Sequence, residues 1–152
     1  QAYRKNSGKT HGDFLMSVKL IRQYTVFIPN APGSLSKFVE IFHKAGLNLV
    51  GIASEVRDDS GVVRVAIDEE GQVSKVITDA GFTTIETAMI SYEFPSDRAG
   101  NLFRLTQVLN RHGLNITTVY GTSFAGEKGR ILFNVSDTEK AIEIIKKELD
   151  ED

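Results

Sequence analysis

Two kinds of apolar spacing alternate along this chain. Residues 18–28 are rich in β-branched and aromatic side chains, which suits a pleated strand. Leu35, Phe38, Ile41, Phe42 and Ala45 then fall at helical spacing and line one face of a helix. Residues 47–56 and 62–67 return to strand character, joined by the turn-rich Arg57-Asp58-Asp59-Ser60-Gly61. Val73, Val76, Ile77 and Ala80 mark a second helix, and 82–86 a fourth strand. The same grammar restarts with a strand over 87–94 and a helix carrying Leu102, Leu105, Val108 and Leu109. Strands over 114–124 and 130–135 follow, then a helix carrying Ala141, Ile144, Ile145 and Leu149. No strand pattern follows that last helix, so the fourth strand of the second copy is missing or supplied from elsewhere.

The recurrence extends to particular residues. Phe27-Ile28-Pro29-Asn30-Ala31-Pro32-Gly33-Ser34-Leu35 returns as Phe94-Pro95-Ser96-Asp97-Arg98-Ala99-Gly100-Asn101-Leu102. Ala45-Gly46-Leu47-Asn48-Leu49 returns as His112-Gly113-Leu114-Asn115-Ile116, with an equal gap from glycine to glycine. A glycine bend, an apolar stripe and a Gly-Leu-Asn stop recurring in register mark a duplicated module. Ser34 and Asn101 suit helix N-caps. Gly46 and Gly113 suit the position just past a helix, where φ is positive. The order βαββαβ predicts an α+β fold of two tandem ferredoxin-like modules, each an antiparallel sheet with helices on one face and the other face bare. The expected division is a leader over 1–15, a first module over 16–86 and a second over 87–152. Modules this small sit near the lower limit for an independent core, which predicts a homodimer with shared sheets.

Composition narrows the chemistry. A net charge of −2 gives no strong field toward nucleic acid or anionic lipid. Cysteine is absent, which removes thiolate metal sites and cysteine nucleophiles and fits a reducing cytoplasm. No apolar run reaches the length that spans a bilayer. The polar leader has no signal-peptide core and reads as an arm, a remnant of expression or an upstream extension.

The run Asn30-Ala31-Pro32-Gly33-Ser34-Leu35, followed by Ala45-Gly46-Leu47-Asn48-Leu49, resembles the opening of an ACT domain: a strand, N-x-P-G-x-L, a helix, then G-x-N-L. Both copies carry the resemblance, from about Val18 to Leu149, and the chain looks like the small tandem ACT proteins of bacteria and archaea. Acetolactate synthase regulatory subunits and the regulatory tail of phosphoglycerate dehydrogenase are more distant in pattern. The resemblance implies a non-catalytic regulator that binds an amino acid at a module interface and controls an enzyme of amino-acid metabolism. It implies a ligand-binding set of Asn30, Ala31, Pro32, Gly33, Ser34, Leu35 and Asn48 in the first copy. In the second copy the set is Asp97, Arg98, Gly100, Asn101, Leu102 and Asn115. Two departures stand out. Ile28 and Pro95 occupy positions where some members have His, and the second copy has Arg98-Ala99 in place of x-Pro and an acid in place of the amide.

Elementary chemistry agrees in kind. Backbone N–H groups at a helix N-terminus suit a carboxylate, and amide or carboxylate oxygens at Asn30, Asn48 or Asp97 suit an ammonium. Bland readings stand beside these: Asn30 and Asp97 as Asx-turn residues, Asn48 and Asn115 as left-handed residues after a helix. A structural interaction module that binds no metabolite is the alternative function. An enzyme has little support. His11, His43 and His112 lack metal-ligand spacing, Gly8-Lys9-Thr10 only imitates the end of a phosphate loop, and no G-x-S-x-G elbow occurs. No cofactor or metal is called for. An RNA-stacking sheet is disfavoured, since Gly61-Val62-Val63-Arg64-Val65-Ala66-Ile67 has no aromatic residue.

Overall fold

A computed structural model of the chain describes residues 17–69, 71–96, 98–122 and 128–150. Its elements run β1 (Val18–Pro29), α1 (Ser34–Ala45), β2 (Gly51–Arg57), β3 (Ser60–Ile67), α2 (Val73–Asp79), β4 (Thr84–Glu93), α3 (Asn101–Arg111), β5 (Ile116–Thr122), β6 (Arg130–Val135) and α4 (Thr138–Glu148). The leader over 1–15 lies outside the described residues.

The strands form one antiparallel six-stranded sheet in the order β2-β3-β1-β4-β6-β5, not one sheet per module. Two long strands make this possible. Residues 82–86 and 87–94, expected as separate strands, merge into β4, so the expected division between 86 and 87 falls inside one strand. β1 has 12 residues and at strand rise spans about 40 Å, enough to lie beneath two helical layers. Its second half pairs with β3, Val26 opposite Val63. Its first half pairs with the end of β4, Val18 opposite Tyr92, and serves the second module as its fourth strand. The missing strand is therefore donated by β1. Each module has the ferredoxin-like order, and β1 and β4 belong to both.

The helices pack on one face above two cores. Tyr24, Val26, Ile28, Phe38, Phe42 and Ile77 belong to the first. Phe38 is fully buried, and its ring meets Phe42 and Phe82 edge-to-face at centroid distances of 5.2 and 5.3 Å. Val18, Ile90, Tyr92, Leu105, Leu109, Phe133 and Ile145 belong to the second. Between the cores, Leu20 and Arg22 on β1 stay exposed, because no helix among the described residues covers the middle of the sheet.

Strand alternation corrects one sequence correspondence. Phe27 aligns with Phe94 in the repeat, yet Phe27 is exposed, while Ile28 and Phe94 pack on the two cores. The match in the sheet is Ile28 with Phe94, since a one-residue slip reverses every side chain. The bend before α3 (95–99) is consequently one residue longer than the bend before α1 (29–32).

The opposite face is not bare. The sheet curls until β2 and β5, its two outer strands, touch across that face. Ile21, Ala66, Met89 and Leu132 are buried there, with Tyr120 packed against them.

Candidate functional site

The two glycine bends have nearly the same backbone. Gly33 (φ 86°, ψ −11°) and Gly100 (φ 94°, ψ −6°) occupy the N-cap positions of α1 and α3, in the left-handed region that favours glycine. Ser34 and Asn101, expected as caps, are instead the first helical residues, and the cap residues themselves, as glycines, offer no side chain. The first helical bonds run from Lys37 N–H to Gly33 O and from Arg104 N–H to Gly100 O, both 2.9 Å. The amides of the first turn have no acceptor within the helix.

Their surroundings differ. A cavity of about 410 Å³ opens beside the second bend. Arg98, Gly100, Asn101 and Leu102 form one wall, all of them expected from the sequence. Phe94, Ser96, Gly121, Gly129, Arg130 and Ile131 complete it, and sequence reasoning missed these. Ser96 belongs to the bend itself, and Gly121, Gly129, Arg130 and Ile131 come from β5 and from the start of β6 with the residue before it, which meet the bend only in three dimensions. The one sequence signal was the extra residue in 95–99, which was visible only after strand alternation was known. Asn101 Nδ2 donates to Ser96 O at 2.7 Å and holds the bend together. Phe94 is pinned by its N–H to Gly129 O at 2.9 Å and by its edge-to-face contact with Tyr92 at 5.5 Å. Arg130 lies between Ser91 Oγ (3.2 Å) and Glu93 Oε2 (3.3 Å) with its side chain part-exposed. Gly121 permits close strand approach, because a Cβ there would lie 2.8 Å from Arg130 O. The described lining holds two guanidiniums and three apolar side chains; Glu93, paired with Arg130, offsets part of the positive charge, and the wall still suits a small anion with an apolar part. Asp97 lies outside the described residues.

At the first bend, Asn30 acts as a clamp. Its N–H donates to Asp59 O and its Nδ2 to Asp58 O, both at 2.9 Å, tying the bend to the β2–β3 turn. Ser34 N–H donates to Ala31 O at 3.2 Å. Ala31, Pro32, Gly33 and Leu35 are exposed. Asn48 and Asn115 lie past the far ends of α1 and α3, separated from Gly33 and Gly100 along helices of 12 and 11 residues, roughly 17 Å. Asn48 N–H donates to Glu69 Oε1 at 3.3 Å, and Asn115 N–H to Ser136 Oγ at 3.2 Å. Both helices end with a positive-φ glycine: Leu47 N–H reaches Phe42 O and Leu114 N–H reaches Leu109 O, the six-to-one bonds of a Schellman cap. Of the expected set, Arg98, Gly100, Asn101 and Leu102 share one cavity, Asn30 to Leu35 lie at the other bend, and Asn48 and Asn115 are brought to neither bend within one chain.

On the curled face, Tyr120 Oη meets Gln23 Oε1 and Met89 Sδ, each at 3.3 Å. Burial pushes the Tyr120 phenol up to about 12, and burial followed by the Asp150 charge does the same for Tyr92. Among the described residues no group of three His, Asp or Glu side chains could hold a metal ion, and no helix is long and apolar enough to cross a membrane.

The model of a family described as an ACT domain pair matches residues 19–151, nearly the whole described chain. The chain belongs to this ACT family. Similar solved structures include a protein of Bacteroides thetaiotaomicron, 21% identical, with a TM-score of 0.76, covering 86% of this chain and 90% of that one. The regulatory subunit of aspartate kinase from Thermus thermophilus, in its ligand-free form, is 16% identical with a TM-score of 0.62, covering 86% and 95%. The corresponding subunit from Thermus flavus is 17% identical with a TM-score of 0.60 and the same coverage. At these identities the likeness extends to the fold. No match was found among curated proteins. ACT membership agrees with the α+β, tandem ferredoxin-like architecture, in which the two modules of the pair are fused through β1 and β4.

Proposed function

We propose that this ACT domain pair is a regulatory sensor whose second module binds a free amino acid, or a similar small carboxylate, at the bend before α3. One observation carries the reading: the cavity of about 410 Å³ joins the N-terminus of α3 to Arg98 and Arg130 and to an apolar wall. The ligand carboxylate faces the helix amides and guanidiniums, and its side chain packs on Phe94, Leu102 and Ile131. Asn101 positions the bend. Asn30, Ala31, Pro32, Gly33, Ser34 and Leu35 form a weaker counterpart, because Asn30 already holds that bend on a turn. Asn48 and Asn115 reach such a site only from another chain. The regulated partner is an enzyme of amino-acid metabolism in the cytoplasm, and the chain itself performs no reaction. That the related subunits belong to aspartate kinases supports this class of partner.

A homodimer belongs to the same proposal. Apolar Ile52 and Val56 on β2 and Val119 on β5 are exposed on outer strands whose far edges pair with no other strand among the described residues. A second copy covers them. Sedimentation equilibrium tests this directly, and a monomer at all concentrations refutes it.

The sensing test is a thermal-shift screen of the common L-amino acids. A ligand at a hundredfold its dissociation constant adds about 2.7 kcal/mol of stability. One amino acid is expected to raise Tm, with the rise lost in Arg130→Ala and in Gly100→Val. No shift with any amino acid favours the alternative, an interaction module that binds no metabolite.

A further inference from the structure

β2 and β5 stand at opposite ends of the sheet order, yet the curl brings them together across the face that carries no helices. The approach is close because position 51 has no side chain. A Cβ at Gly51 would lie 2.3 Å from Leu132 Cδ1 and 2.8 Å from Tyr120 Cε2. Gly51 is the edge residue paired with Ala66 on that same enclosed face. A small cavity of about 90 Å³ lines this seam, with Val50, Gly51 and Ile52 from the first module facing Tyr120, Gly121, Arg130 and Leu132 from the second. Gly121 and Arg130 also line the larger cavity beside Gly100. The two spaces therefore have a common wall, and it is built from β5 and β6.

We propose that the β2–β5 seam is the joint through which occupancy of the Gly100 cavity is transmitted to the first module, with Gly51 setting how far the joint closes. The inference rests on the sensing reading above. Its physical basis is the shared wall: Gly121 and Arg130 line both spaces, so a carboxylate drawn to Arg130 acts on the same strands that face β2 across the seam. A carboxylate held between that bend and the Arg130 guanidinium favours the closed seam, and by linkage a closed seam favours the carboxylate. Tyr120 serves as the latch, since its hydroxyl reaches Gln23 and Met89 on the central strands only when the sheet is curled.

Spin labels on Glu55→Cys and Thr117→Cys, which place one probe on each outer strand outside the apolar residues assigned to the homodimer, read the joint without background because the chain has no cysteine, and dilution with unlabelled protein removes distances between copies. Both positions are exposed, so labelling leaves the core intact. Gly51→Val, or the milder Gly51→Ala, is expected to lengthen and broaden the separation. Leu132→Val removes the atom nearest the added methyl and is expected to restore part of it. The amino acid that raises Tm in the unlabelled protein is expected to narrow the separation and to bind Gly51→Val about fivefold or more weakly. If no common L-amino acid raises Tm, the sensing reading fails and takes the coupling with it. If one does, but binds Gly51→Val unchanged or leaves the spin separation unmoved, the joint alone is refuted.

Discussion

Alanine at Gly33 or Gly100 isolates the cost of a left-handed bend from the cost of a collision. At both positions a Cβ would meet nothing within 4 Å among the described residues, so packing against them contributes no penalty. The backbone angle does, because φ is 86° at Gly33 and 94° at Gly100. An L-residue in this region costs about 1–2 kcal/mol. Alanine also restricts the unfolded chain, which returns about 0.4–1 kcal/mol and leaves a net loss of roughly 1 kcal/mol at each site. The bends lie in different modules and have no common partner, so the double variant should lose about twice as much, within about 0.5 kcal/mol. Urea unfolding at neutral pH measures this as a lower midpoint with an unchanged slope. A loss near zero would mean that the bends relax out of the left-handed region at no cost. A loss above about 3 kcal/mol at either site would mean that the added methyl collides with something, contrary to the open space around both glycines.

Three further outcomes follow from the packing and the titrating groups. Phe38→Ala removes a fully buried ring with two edge-to-face partners and should cost about 3–5 kcal/mol by chemical denaturation. Asp137 caps α4 by accepting from Lys140 N–H at 3.1 Å, so Asp137→Ala should cost about 1 kcal/mol in the same assay. Tyr92 and Tyr120 have phenols raised to about 12, above the ordinary value of 10.0. The unfolded chain therefore releases these protons first, and the stability they contribute, complete below pH 10, should fall as pH rises toward 12. Unfolding midpoints measured from pH 8 upward should decline above pH 10, and Tyr120→Phe should make the decline shallower; identical slopes would exclude Tyr120 as a source.

The sequence by itself determined the duplicated module, the order of its elements, the apolar stripes of α1 and α3 and the glycines at their ends. These are local properties: side-chain spacing chooses helix or strand, and a residue without Cβ marks where φ turns positive. Cap propensity points to Ser34 and Asn101, one position past the true caps Gly33 and Gly100, because it does not distinguish the bend glycine from the residue after it. Only the tertiary structure decided that β1 and β4 each serve both modules, since pairing between 18–21 and 89–92 leaves no short-range signature. It also decided which bend has a cavity. Arg130, Gly121 and Phe94 gather at Gly100 because strand pairing carries distant residues to one rim, and Asn30 closes the first bend by bonding to a turn 28 residues away in sequence. Periodicity fixes which face a side chain takes within its own element; where elements meet depends on curl and register, which arise only when the whole sheet forms.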